Sequence, residues 1–221
     1  AIGAFSAGQY KILNQAGFNP DYTAGHSFGE LTALWAAGVF DESEYLMLSK
    51  ARGEAMAAPA DPGFDAGSML AVIGELDNLA SDIADYENIV MANINSHQQI
   101  VLAGPKNEIG SVKDHLNQLK YRAIQLPVSA AFHTPLVAHA QKPFATVLDQ
   151  VKFKKPKIAV YSNGTGEKHS TQTQTIKKKL KDHILQPVNF KDEITNIYND
   201  GGYLFVEFGP QNILCKLVSN I

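Results

Sequence analysis

The chain is poor in cysteine, in long apolar runs and in charge of one sign, and each shortage removes a class of explanation. Its one cysteine, Cys215, leaves no partner for an internal disulfide. A fold held by packing, in a reducing compartment such as the cytoplasm, is the natural expectation. Cys215 sits in a helix-like run from Asn212 to Val218 and reads as a packed, inert thiol. No apolar stretch approaches the ~18 residues of a membrane span. No basic-then-apolar leader with a small-residue cleavage site opens the sequence, so secretion is not expected. The net charge of −3 argues against general nucleic-acid binding, and a phosphate-bearing ligand would need a local basic patch. Repeats and low-complexity tracts are absent from the sequence. So is an initial methionine: Ala1 adjoins a helix-like stretch, Ile2 to Ala16, as in a piece of something longer.

What is present fits one or two compact units: 221 residues, 45% hydrophobic and 19% charged. The most informative segment is Gly25-His26-Ser27-Phe28-Gly29-Glu30. It follows a short strand-like lead-in, Tyr22 to Gly25, and precedes a helix-like run that stops at Gly38. Gly-x-Ser-x-Gly at a strand-to-helix turn is the nucleophile-elbow pattern, which presents a serine hydroxyl at a helix N-terminus. Ser27 is therefore a candidate for forming an acyl ester.

Asp41 with Glu44 predicts a capping box opening a helix that runs to about Ala58. Pro59-Ala60-Asp61-Pro62-Gly63 breaks it. The following pattern is a strand at 68–74, a helix at 77–85, strands at 89–94 and 99–103, a helix at 108–119 and a strand at 122–128. That βαββαβ order is ferredoxin-like. A second α/β region follows, with helices at 138–150, 175–184 and 191–198 and strands at 157–162 and 203–208. The expected fold is α/β, with an α/β-hydrolase-like unit over 1–62 and 129–221 interrupted by a ferredoxin-like unit over 63–128. The run Lys177 to Lys181 reads as a solvated helix face, with a docking patch as the sharper alternative.

A serine needs a base. Of seven histidines, His133 stands where the chain re-enters the larger unit, facing the elbow across an inter-unit cleft; a surface or capping role is the bland alternative. His26 neighbours Ser27, with its side chain turned away toward packing or a supporting hydrogen bond. His97, His115, His139, His169 and His183 occupy surface-like contexts. Arg52 shares a helix face with Tyr45, Leu48, Ala55 and Met56. A buried arginine needs a counter-ion, either a protein carboxylate such as Glu30 or Glu207 or the carboxylate of a ligand.

Taken in order, the motifs resemble a known family. They are the elbow, Ala51-Arg52-Gly53, Asn93-Ile94-Asn95-Ser96 with Val101-Leu102-Ala103-Gly104, Ala131-Phe132-His133-Thr134-Pro135, Tyr161-Ser162-Asn163-Gly164-Thr165-Gly166, Gln186-Pro187-Val188-Asn189-Phe190 and Glu207-Phe208-Gly209-Pro210. They occur as in malonyl-CoA:acyl carrier protein transacylases, including the acyltransferase domains of fatty acid and polyketide synthases. The elbow version looks most like the domains of bacterial polyunsaturated fatty acid synthases. The resemblance implies Ser27 as acylated nucleophile, His133 as base, and Asn189 as donor of the carbonyl that orients His133. It implies Arg52 as partner of the malonyl carboxylate and the Phe28 N–H as an oxyanion donor. Phe132 resembles the malonyl-preferring version of its motif, with a plain core aromatic as the alternative. The implied partners are malonyl-CoA, the phosphopantetheine thiol of an acyl carrier protein and neighbouring synthase domains, with no metal or redox cofactor. The family's second oxyanion donor, in a Gly-Gln-Gly segment, has no counterpart in this sequence. An inactive or hydrolytic fragment, or an interaction module, is therefore the competing expectation.

Overall fold

The computed structural model describes residues 1–57, 59, 61 and 63–221. The expected end of the Asp41 helix at Ala58, and Ala60 and Pro62 of the expected break, lie outside the described residues. In chain order the elements begin with α1 (Ile2–Gln15), β1 (Tyr22–Thr23), α2 (Gly29–Ala36) and α3 (Glu42–Ala55). Next come β2 (Ser68–Ile73), α4 (Leu79–Asp82), β3 (Val90–Ser96), β4 (Gln99–Gly104), α5 (Lys106–Gln118) and β5 (Arg122–Gln125). A 3-10 turn (Pro135–Ala140), α6 (Gln141–Gln150), β6 (Ala159–Val160), α7 (Thr173–Asp182), α8 (Phe190–Asn199) and α9 (Ile213–Val218) complete the chain. The architecture is mixed α/β.

Strands β2 to β5 form one antiparallel sheet in the order β3-β4-β2-β5. With α4 and α5 this is the ferredoxin-like arrangement that the βαββαβ order implied. Alternation along β2 divides its side chains between two faces. Leu70 and Val72 join Leu79 of α4 and Ile109, Val112 and Leu116 of α5 in one core. Met69 and Ala71 point the other way, onto Ala131, Phe132 and Leu136, so the back of this sheet rests on the segment that carries His133. The edge strand β3 is stitched to the chain before α8: Ile94 N–H donates to Val188 O at 2.8 Å and Val188 N–H to Ala92 O at 2.9 Å.

The rest of the chain builds on α2, α3, α6 and α7 around Leu31, Leu34, Leu48, Phe144 and Leu180. The Asp41 cap forms as expected: Glu44 N–H reaches Asp41 Oδ1 at 2.9 Å and Asp41 N–H reaches Glu44 Oε2 at 2.8 Å. The lysine run does not simply face water. Lys177 Nζ donates to Val151 O at 2.8 Å, and Lys181 pairs with Asp149 at 2.7 Å.

β1 and β6 pair in parallel over only two residues each. The strand expected at 203–208 does not form. Its backbone pairs with no strand among the described residues, and Tyr203 and Leu204 are 73% and 84% exposed. An apolar segment becomes a strand only when a neighbour completes its hydrogen-bond ladder. Here the space between β1 and this segment is an apolar trough of about 820 Å³, lined on its two sides by Tyr22 to Gly25 and by Tyr203 to Phe208.

Candidate active site

The elbow is shaped by one glycine more than by two. A Cβ on Gly25 would collide with the backbone of Gly29, whereas a Cβ on Gly29 would meet nothing. The tight approach puts Ser27 in the left-handed region, at φ 51°. His133 is also left-handed, at φ 63°, where the chain turns out of Ala131 into the Thr134-capped 3-10 turn. Strained conformations at both residues are the kind of feature that concentrates at reactive sites.

Residues 106 apart in sequence meet here: Ser27 Oγ lies 2.8 Å from His133 Nε2. The other ring nitrogen, Nδ1, faces two carbonyl oxygens, Gln186 O at 2.8 Å and His183 O at 3.2 Å. Carbonyls only accept, so Nδ1 carries the proton and Nε2 offers its lone pair to the serine. The orienting carbonyl is therefore that of Gln186, not that of Asn189 as expected. The Asn189 carbonyl is already taken by Glu193 N–H in the first turn of α8, and its side chain holds the carbonyls of Asn163 and Gly164. Burial, with His183, Arg52 and His26 nearby, pushes the pKa of His133 down to about 3, so its ring is neutral at pH 7.

Arg52 is 3% exposed. No carboxylate oxygen among the described residues lies within 4.0 Å of its guanidinium. Glu30 acts on it only at longer range, and Glu207 is turned to Cys215 N–H at 2.8 Å. Desolvation pulls the pKa of Arg52 down to about 10. Its Nη2 lies 3.5 Å from Ser27 Oγ, and its Cζ 5.7 Å from the centroid of the Phe28 ring. Ser27, Phe28, Arg52, Met56 and Phe132 line one cavity of about 330 Å³. Phe28 N–H donates to no acceptor among the described residues. Those residues contain no cluster of three His, Cys, Asp or Glu able to hold a metal.

His26 turns away, its Nε2–H donating to Asn95 Oδ1 at 2.7 Å and its ring packing edge-on to Phe190. His169 and His183 are the surprise, because both are buried beneath the elbow rather than on the surface. His169 Nε2 meets Glu30 Oε1 at 2.6 Å, and His183 Nε2 lies 3.4 Å from Glu30 Oε2. Burial disfavours a charge on Glu30, yet His183, His169 and the Asn163 N–H together lower its pKa to about 2. Burial takes His183 itself down to about 4, and Glu30 keeps its hydrogen bonds to His169 Nε2 and the Asn163 N–H. Glu193, fully buried behind Asn163, has its pKa raised well above the usual carboxylate range, first by desolvation and then by Glu30. Periodicity carried no sign of this network. The only signal was Ser162-Asn163-Gly164 closing a strand.

An α/β fold thus sets a serine hydroxyl 2.8 Å from a neutral histidine, beside a cavity walled by a buried arginine. The comparisons place the chain more narrowly. The acyl transferase domain family matches residues 1–220, and the chain belongs to that family as an acyltransferase domain. It is 34% identical over 218 residues to a polyunsaturated fatty acid synthase polypeptide of Thraustochytrium sp., covering 98% of this chain and 8% of that protein. It is 34% identical over 209 residues to the malonyl CoA-acyl carrier protein transacylase of Synechocystis sp., covering 93% and 68% of the two chains. The structure of the malonyl CoA-acyl carrier protein transacylase of Coxiella burnetii superposes with a TM-score of 0.91 at 27% identity, over 99% of this chain and 70% of that one. No helix of the described residues is long and apolar enough to cross a membrane.

Proposed function

We propose that the chain moves a malonyl group from malonyl-CoA to the phosphopantetheine thiol of an acyl carrier protein by way of an acyl ester on Ser27. His133 Nε2 takes the Ser27 proton as Oγ attacks the thioester carbonyl. The oxyanion forms against the Phe28 N–H, the C–S bond breaks, and His133 returns the proton to the departing CoA sulfur. In the second half the carrier thiol gives its proton to His133 and attacks the ester, and the proton ends on Ser27 Oγ. The Gln186 carbonyl holds His133 in the required tautomer. Arg52 receives the free carboxylate of the malonyl group, and Phe132 narrows the cavity against a branched acyl chain. Residues 63–128 act as the inserted unit and residues 1–62 and 129–221 as the unit bearing the nucleophile. The domain works in fatty acid or polyketide synthesis, in the cytoplasm, beside other synthase domains.

The observation that carries this reading is Arg52, a buried cation next to Ser27 with no carboxylate among the described residues in contact. Ping-pong kinetics between malonyl-CoA and a carrier protein test it. Intersecting double-reciprocal plots would contradict a covalent relay.

A second reading is that these 221 residues alone load the acyl group but release it to water or transfer it slowly. The open trough beside the elbow, and a Phe28 N–H that donates to no acceptor among the described residues, favour it. Loss of one oxyanion donor typically costs ~10²–10³ in rate. The ratio of free malonate to malonyl-carrier product separates the two readings.

A further inference from the structure

The elbow is gripped from below by a side chain to which the proposed chemistry gives no part. Asn163, 0% exposed, lies in the turn after β6. Its Oδ1 accepts from Ser27 N–H at 2.6 Å and from His183 Nε2 at 3.2 Å. Its Nδ2 donates to Gly25 O at 2.7 Å and to Glu193 Oε2 at 2.8 Å. The amide can point only one way, because a carbonyl only accepts and a backbone N–H only donates. Both donors and both acceptor positions of the side chain are thus used, two of them on backbone groups flanking His26. The backbone of Asn163 is tied down as well, its N–H to Glu30 Oε2 at 3.1 Å and its carbonyl to Asn189 N–H at 2.8 Å.

We infer that Asn163 is a positioning residue, a buried amide clamp that holds Ser27 in its left-handed conformation and registers it against His133. The inference rests on the proposed pairing of Ser27 with His133. Its physical content is threefold. Turning the Ser27 N–H down into Asn163 leaves the next N–H, that of Phe28, as the one facing the reacting oxygen. Holding Gly25 O and Ser27 N–H together fixes both ends of the turn that aims Oγ. The third link is His183, which bonds Asn163 while its carbonyl lies 3.2 Å from His133 Nδ1 and its ring centroid 5.5 Å from that of His133. One amide therefore sets the nucleophile and, through one neighbour, the base.

The test follows the rate at which a fluorophosphonate labels Ser27, read by intact mass, which needs no acyl donor. Asn163→Ala slows labelling about 10–100-fold, the cost of misplacing a reacting atom by roughly an ångström. Where malonyl loading is measured, kcat falls and KM stays within about twofold. Asn163→Asp adds a readout that a merely structural residue would not move. Its protonated form restores a donor toward Gly25 and keeps an acceptor for Ser27, while its anion would face Gly25 O, Glu30 of α2 and Glu193 of α8. His183 faces it from beyond α7, and His169 stands one contact further, on Glu30. Labelling of Asn163→Asp relative to wild type therefore rises as pH falls from about 8 to about 5, whereas the Asn163→Ala ratio stays flat. Wild-type labelling rates in folded Asn163→Ala, a flat ratio in Asn163→Asp, or no labelling of the wild-type protein overturn the clamp. If neither variant folds, wild-type amide exchange decides. Ser27 N–H exchanges at least ~100-fold more slowly than Phe28 N–H, and equal rates overturn the inference. A wild-type protein that shows the labelling contrast but takes no malonyl group contradicts the proposed function and leaves the clamp standing.

Discussion

Arg52→Met separates a substrate anchor from a structural cation because the two roles move stability and activity in different directions. In the folded chain burial pulls the arginine's pKa down to about 10, which corresponds to about 3 kcal/mol of unfavourable charge burial at neutral pH. The sign is that of a base lowered by folding: its charged form is less comfortable inside than in the unfolded chain. No carboxylate among the described residues contacts the guanidinium to offset that cost. Methionine fills similar volume without the charge, so the variant should fold at least as stably, with Tm unchanged or raised by a few degrees at about 2–4 °C per kcal/mol. A malonyl carboxylate held by the guanidinium fork makes two charge-assisted hydrogen bonds of about 1.5–3 kcal/mol each. Their loss should lower kcat/KM for malonyl loading about 10²–10⁴-fold. Acetyl loading has no carboxylate to lose and should hold or rise. Intact-mass kinetics with malonyl-CoA and acetyl-CoA, beside a thermal melt, read both effects. A Tm that falls with equal loss of both substrates would mean that Arg52 is a structural cation and not a carboxylate anchor.

Three further outcomes follow from the same geometry. Because the pKa of His133 is held near 3, the Ser27 acylation rate should be flat from about pH 8 to 5.5, where a histidine at its ordinary pKa of ~6.5 would lose about eightfold between pH 7 and 5.5; that eightfold fall would contradict a buried neutral base. Glu193 has a raised folded pKa, so its contribution to stability is full below its unfolded value near 4.5 and is lost as pH rises. Glu193→Gln should therefore gain on wild type between pH 5 and 8 by at least about 1 kcal/mol, or about 2–4 °C in Tm, and a constant gap in melts across that range would show that Glu193 ionises freely. Gly25→Ala should cost about 1–3 kcal/mol or more through its backbone collision, while Gly29→Ala, at the open first position of α2, should be neutral or stabilising by up to ~1 kcal/mol; equal denaturant midpoints would contradict the elbow as described.

The parts of the molecule legible in the sequence were those with a local cause. The Asp41–Glu44 box was readable because both partners lie within one turn. Strands β2 to β5 were readable because alternation marks faces and turns mark ends. Arg52 was readable as a problem, since a charge on an apolar helix face needs an explanation whatever the fold. Other features depend on contacts between distant segments, and periodicity does not report those. The Gln186 carbonyl outcompetes that of Asn189 only because α8 begins at Phe190 and claims the latter. His169 and His183 looked like surface residues from their local sequence, yet the segment after β6 brings His169, and the end of α7 brings His183, under Glu30. The segment 203–208 has strand composition and no ladder partner among the described residues, and composition cannot supply one.

A covalent malonyl ester on Ser27 would show in the mass of the intact protein after brief exposure to malonyl-CoA. One malonyl addition is expected, mapped to the peptide containing Ser27, absent in Ser27→Ala and discharged by a holo acyl carrier protein. No addition on wild type, or an addition that persists in Ser27→Ala, would contradict it.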